Sequence, residues 1–298
     1  MSKSSYWRGL KTGNPDHSDV LILGVPFDGA VSNARGAAEA PDRLRELSIK
    51  TPPLSEQGLD LRELVICDQG NVTVDPDWNR YYNQVEQQAA ELMAKEKFLL
   101  FLGGDHSVTI PLGKAFAEHY SSETVGMIHL DSHCDLMDIY DGYHWSHACP
   151  QRRFLEHENT SPDNLIMVGI RNYEAEELVF LKDNPAITVI GARQCYFQDH
   201  KLIMEQIYKA MRGIGAVYLS IDIDVLDPAF APGTGTPEAG GLSTREVIEM
   251  TREIVINLPV KAVDLVEVAP PIDHSNITSW SALKIIYEIF SAIKHPEQ

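Results

Sequence analysis

The chain has 298 residues, 44% hydrophobic and 23% charged, enough to bury a substantial core without disulfide staples. A formal net charge of −18, from 25 Lys and Arg against 43 Asp and Glu, argues against nucleic-acid partners and suits small cationic ones. The four cysteines have no CxxC spacing and no signal peptide precedes them, so they read as reduced thiols of a cytoplasmic protein, and no apolar run approaches the roughly 20 residues of a membrane span.

In chain order, apolar β-branched runs predict strands at 19–26, 64–68, 98–102, 125–130, 165–169, 187–190, 216–221 and 262–266. Between them, helical spacing of apolar residues predicts helices over 79–95, 108–119, 174–182, 200–212, 244–256 and 279–293. Continuous apolar strands alternating with helices imply an α/β fold: three layers, with a mostly parallel central sheet of about eight strands. No Gly-, Ser- or Pro-rich linker divides residues 1–298, so a single domain is expected.

In open α/β sheets ligands sit beyond the carboxyl ends of strands, so polar residues directly after the apolar runs are the informative ones. The run at 98–102 leads into Gly103-Gly104-Asp105-His106-Ser107, with glycines for a tight turn and Ser107 as a candidate helix cap. The run at 125–130 leads into Asp131-Ser132-His133-Cys134-Asp135. In extended geometry Asp131, His133 and Asp135 share one face. The run at 216–221 leads into Asp222-Ile223-Asp224, then Asp227. Carboxylates crowded at strand ends repel one another unless a cation sits among them. Two imidazoles and four carboxylates with no thiolate exceed the needs of one catalytic zinc. They suit two manganese-like divalent ions about 3.5–4 Å apart.

These segments resemble the ureohydrolase (arginase/agmatinase) family over most of the chain. Gly103–Ser107 resembles its GGDHS signature and Asp131–Asp135 its DAHxD. Ser220–Pro228 with its continuation to Glu238, SIDIDVLDPAFAPGTGTPE, resembles the longest signature, and Gly24–Asp28 the amino-terminal stretch. The resemblance implies an arginase-like sheet and a homo-oligomer, trimer or hexamer. It implies two Mn2+, one held by His106, Asp131, Asp135 and Asp222, the other by His133, Asp131, Asp222 and Asp224. Ser146-His147 with Arg152-Arg153 resembles the segment carrying a mobile acid–base histidine, which implies that role for His147, with His144 as the competitor. Here Ala148 and Cys149 replace the usual Gly and Thr. Glu267 stands where the family holds the guanidinium.

By the same resemblance the partner is a small guanidino compound. The stretch Asp141–Ser146 lacks the Asn- and Ser-rich arginase pattern, and Thr236-Pro237-Glu238 is nearer the agmatinases, so agmatine comes first. Tyr143 and Trp145 would flank its chain or its second cationic end. Guanidinobutyrate, guanidinopropionate, arginine, free guanidine and formiminoglutamate are the alternatives. A carboxylate-bearing substrate would want Arg152, Arg153 or Arg171 as a partner. Asp105 and Asp227 are expected to orient ligands or to serve as turn residues.

Overall fold

The computed structural model describes residues 6–296. Its nine strands are β1 (Lys11–Thr12), β2 (Val20–Gly24), β3 (Val65–Asn71), β4 (Phe98–Leu102), β5 (Val125–Leu130), β6 (Leu165–Ile170), β7 (Thr188–Gly191), β8 (Ala216–Asp222) and β9 (Val260–Val266). They form one sheet in the order β1-β3-β2-β4-β9-β8-β5-β6-β7, with every pair parallel. The eight expected strands are all present. The ninth, β1, is two exposed residues long, too short to carry any apolar pattern.

Helices cover both faces, because alternate residues of each buried strand point to opposite sides. On one face Val20, Leu100, Ile128, Leu219 and Val263 pack with α1 (Ala40–Ser48), α7 (His200–Ala210), α8 (Thr244–Asn257) and α9 (Ile277–Lys294). On the other, Leu21, Leu99, Met127, Tyr218 and Ala262 pack with α2 (Trp78–Met93), α3 (Thr109–His119) and α4 (Pro150–Phe154). The remaining helices are α5 (Ala175–Asp183) and α6 (Ala192–Phe197). Sequence periodicity missed α1, α4 and α6: α4 and α6 have only five and six residues, and α1 carries Asp42, Arg43, Arg45 and Glu46 among its nine. No helix is long and apolar enough to cross a membrane among the described residues.

Register decides where the informative residues meet. Leu102 of β4 pairs with Leu265 of β9, Asp222 of β8 with Val266, and Leu130 of β5 with Ile221. The four central strands therefore end level. The segments that follow them, at 103–107, 131–135, 222–224 and 267, emerge side by side at the carboxyl edge.

Candidate metal centre

The turn after β4 is built around a backbone contact that only glycine tolerates. A Cβ on Gly104 would lie 1.9 Å from the Phe27 carbonyl oxygen, and the next residue, Asp105, donates its N–H to that oxygen at 2.7 Å. The Asp105 carboxylate accepts from Ser107 N and, across the chain, from Ala30 N at 2.9 Å. It thus caps the following turn, the task expected of Ser107, and ties down the loop after β2. Burial pushes it up to about 7.

That turn aims His106 at the strand ends. Its Nε2 meets the Ser220 hydroxyl at 2.9 Å, and Ser220 donates to Asp264 Oδ1 at 2.7 Å. Since Ser220 spends its proton on Asp264, it must accept from His106, so Nε2 carries a ring hydrogen and Nδ1 is the nitrogen left for a metal ion or a second proton. Nδ1 faces three carboxylate oxygens: Asp135 Oδ2 at 2.9 Å, Asp131 Oδ2 at 3.0 Å and Asp222 Oδ2 at 3.1 Å. It is near all three and aligned for a hydrogen bond with none; Nδ1 and Asp131 Oδ2 are buried polar atoms without a partner.

A ring nitrogen surrounded by carboxylates calls for positive charge, a second proton in the metal-free protein or a metal ion that displaces it. The separations match an octahedral ion, whose ligands at about 2.1 Å stand about 3.0 Å from one another. Burial first, then Asp131, pushes Asp135 up to about 7. Burial with Asp224 and Asp131 pushes Asp222 well above the carboxylate range. Burial opposes a charge on His106, yet these carboxylates raise its proton affinity well above normal. The residues fit a divalent ion.

A second group adjoins it. His133 Nδ1 lies 3.1 Å from Asp224 Oδ2 and 3.5 Å from Asp131 Oδ1. Asp131 therefore turns one oxygen to each group, as a carboxylate shared between two ions would. Asp131, His133 and Asp224 form one set able to hold a metal, and His106, His129 and Asp131 another. All six residues expected at a binuclear centre are brought together, although by a different route from strand alternation. Strand β5 ends at Leu130, and the next five residues bend, with Asp135 at φ 55°. Asp224 lies in a single helical turn (Ile223–Val225) rather than on an extended strand end.

Glu267 follows β9 at φ 61°, a strained value for a residue with a side chain. Its N–H donates to the Gly104 carbonyl and its Oε1 accepts from His106 N, both at 2.8 Å, so it is bolted to the His106 turn. Burial first, then Asp105, raises its pKa well above normal. His147 Nδ1 stands 3.8 Å from Glu267 Oε1, and its Nε2 meets the Ser32 hydroxyl at 3.0 Å. Burial first, then His133 and His106, lowers His147 to about 4.

His106, His133, Asp135, Asp222 and His147 open on a cleft of about 360 Å³, joined by Ser32, Asn33, Tyr140, Asn172, Glu174, Glu177 and Glu238, while Glu267 stands behind His106 and His147 and is not part of that lining. His144 is elsewhere. It bonds the Asp138 carbonyl and borders a second cleft with Tyr143, Trp145 and Trp78. Tyr143 and Trp145, expected to flank a substrate, are not brought to this cleft. Tyr143 packs on Trp78 and Trp145 on Tyr82, 5.1 and 5.5 Å between ring centres, and neither lines the cleft of the carboxylates.

The three arginines expected to meet a carboxylate are committed. Arg171 donates to five backbone carbonyls, those of Gly169, Asp224, Val225, Leu226 and Glu238. Arg153 pairs with Asp138 and Glu156, and Arg152 lies 3.9 Å over the Phe180 ring. Asp227 accepts from the N–H groups of Ala229, Gly240 and Gly241, so it closes the 229–241 loop and orients no ligand. Sequence reading missed His129, whose signal was a histidine in an apolar strand two residues before Asp131. It also missed the cleft residues on loops, Ser32, Asn33, Tyr140 and Asn172, which carry no periodic signal.

Known proteins resemble this chain over most of its length. The profile described as "Arginase family" matches residues 18–291. The chain is 36% identical over 280 residues to an agmatinase of Bacillus cereus, covering 92% of this chain and 91% of that protein. It is 31% identical over 283 residues to a guanidinobutyrase of Pseudomonas aeruginosa, covering 93% and 87%. Its fold matches the crystal structure of agmatine ureohydrolase of Thermoplasma volcanium with a TM-score of 0.87 at 26% identity, over 97% of this chain and 94% of that one.

Proposed function

This chain belongs to the arginase family, and we propose that it hydrolyses agmatine to urea and putrescine at a binuclear Mn2+ centre. The observation that carries the metal reading is His106 Nδ1, enclosed by three carboxylate oxygens at octahedral spacing. In this reading His106, Asp131, Asp135 and Asp222 hold one ion, and His133, Asp131, Asp222 and Asp224 the other. A pair of divalent ions supplies a nucleophile by lowering the pKa of a water between them. Manganese fits the oxygen-rich, thiolate-free donor set.

The chain's own groups do the rest. Glu267 accepts hydrogen bonds from the planar guanidinium and orients its carbon toward the carboxylate edge. His147, held neutral by burial, takes the proton that the attacking water releases and passes it to the departing nitrogen, which leaves as an amine. Water adds across the carbon–nitrogen bond, giving urea and the protonated diamine.

The substrate's far end is argued from charge. The cleft lining includes Glu174, Glu177 and Glu238 and no Lys or Arg, while Arg152, Arg153 and Arg171 are occupied elsewhere. A second cation is therefore favoured there over a carboxylate, which supports agmatine above guanidinobutyrate or arginine. Further parts of the proposal are a single domain, supported by one sheet holding all nine strands, and a cytoplasmic homo-oligomer. The exposed Tyr196 and Phe197, 79% and 71% accessible, are apolar surface that an oligomer could cover. Urea release from Mn2+-loaded protein tests the activity against agmatine, guanidinobutyrate, guanidinopropionate, arginine and guanidine, and formamide release tests it against formiminoglutamate. Agmatine should lead; guanidino acids turned over faster would overturn the charge argument, and no urea from any member would overturn the activity.

A further inference from the structure

His129 is fully buried in β5, an otherwise apolar strand, and its ring lies among His106, Asp131 and Gln151. Its two nitrogens are both used. Nε2 lies 3.0 Å from the His133 carbonyl oxygen and 3.3 Å from Asp131 Oδ2, and Nδ1 lies 2.8 Å from the Gln151 side-chain nitrogen. A carbonyl only accepts, so Nε2 carries the proton; a neutral ring then accepts at Nδ1, which the Gln151 amide supplies. The ring also stacks on His106, 5.2 Å between centres and 29° from parallel. One imidazole thus touches both histidines of the centre, the ring of one and the backbone of the other.

The segment that needs holding is the bend from Asp131 to Asp135. Gln151 N and Arg152 N donate to the Asp135 carbonyl at 3.1 and 3.3 Å, and Leu136 N donates to Glu177 at 2.9 Å. These fix the far end of the bend, where Asp135 sits at φ 55°. At its middle, the donor to the His133 carbonyl is His129.

Resting on the metal-binding reading above, we propose that His129 is a positioning residue: its Nε2–H bond to the His133 carbonyl holds the His133 imidazole toward Asp131 and Asp224, and Gln151 fixes the tautomer that allows it. Groups of this kind typically contribute 10–100-fold to metal affinity. His129 stands close enough to His106 and Asp131 to share a metal with them, but in this proposal it is not a ligand, because its Nε2 carries the proton donated to the His133 carbonyl and has no lone pair to give.

The test is Mn2+ binding to metal-free protein, by calorimetric titration and by the electron paramagnetic resonance of the bound ions, in the parent, His129→Leu and His129→Gln. The glutamine amide places an N–H near the position of Nε2. His129→Leu should bind one of the ions 10–100-fold more weakly, with KM for agmatine unchanged at saturating Mn2+. His129→Gln should return to within about threefold of the parent. Parent-like affinity in His129→Leu overturns the proposal. So does a glutamine variant as weak as the leucine one, because the imidazole itself would then be required, as for a ligand. If His129→Leu does not fold, Gln151→Leu replaces it: weaker binding of one ion supports the proposal and parent-like binding overturns it. A parent that binds no Mn2+ overturns the metal reading as well, whereas a parent that binds two ions and matches its variants defeats this proposal alone.

Discussion

Ser220 accepts a hydrogen bond from His106 Nε2 at 2.9 Å, and this one bond leaves the other ring nitrogen facing Asp131, Asp135 and Asp222. The relay ends on Asp264, which also accepts from Thr109 and Tyr218 at 2.6 and 2.8 Å. Replacing Ser220 with alanine removes the acceptor and lets the ring turn or change tautomer. Mn2+ affinity measured by calorimetry should fall 10–100-fold. An unchanged affinity would show that the tautomer is fixed by something else.

Metal binding should release protons. Burial opposes charge on His106 and His133, but Asp131, Asp135 and Asp222 around the first, and Asp224 and Asp131 around the second, raise both well above the usual histidine value. Raised values mean that the metal-free rings hold protons at neutral pH, and an incoming cation must displace them. Affinity should therefore rise with pH, by about tenfold per unit for each proton displaced. Titrations in buffers of different ionisation enthalpy count those protons; a count of zero would contradict the assignment of both rings.

His147→Asn should lower kcat by about 100-fold or more while Mn2+ content and KM stay near parent values, because the ring moves protons and faces no carboxylate cage. His144→Asn should leave turnover near the parent's, since His144 borders a different cleft. Steady-state kinetics beside metal analysis separates the two histidines. Loss of activity in the His144 variant alone would reverse their roles.

Gly104→Ala tests the architecture rather than the chemistry. Its Cβ would meet the Phe27 carbonyl at 1.9 Å and push apart the turn that carries His106 and the loop that carries Ser32. A stability loss of about 3 kcal/mol is expected, read as a Tm several degrees lower, together with weaker Mn2+ binding. A fully stable, fully active variant would mean that the Phe27 contact yields cheaply.

Much of this was legible in the residues because buried parallel strands are apolar on both faces and therefore conspicuous. The runs at Phe98–Leu102 and Val125–Leu130 coincide with β4 and β5, and polar groups at their ends could only be functional or capping. What sequence does not encode locally is the bend. Alternation placed Asp131, His133 and Asp135 on one face, whereas the chain reaches that convergence through a left-handed Asp135 and bonds to Gln151, Arg152 and Glu177, all distant in sequence. Tyr143 and Trp145 lie outside the cleft for a similar reason. Their aromatic character suggested a ligand, but Trp78 and Tyr82 of α2 claim them, and that contact depends on tertiary packing.

The anomalous scattering of crystals grown with Mn2+ tests the central claim most directly. Two peaks about 3.5–4 Å apart are expected, one beside His106 Nδ1 and one beside His133 Nδ1, with Asp131 and Asp222 between them. A single peak, or none beside His106 at saturating Mn2+, would contradict a binuclear centre in this chain.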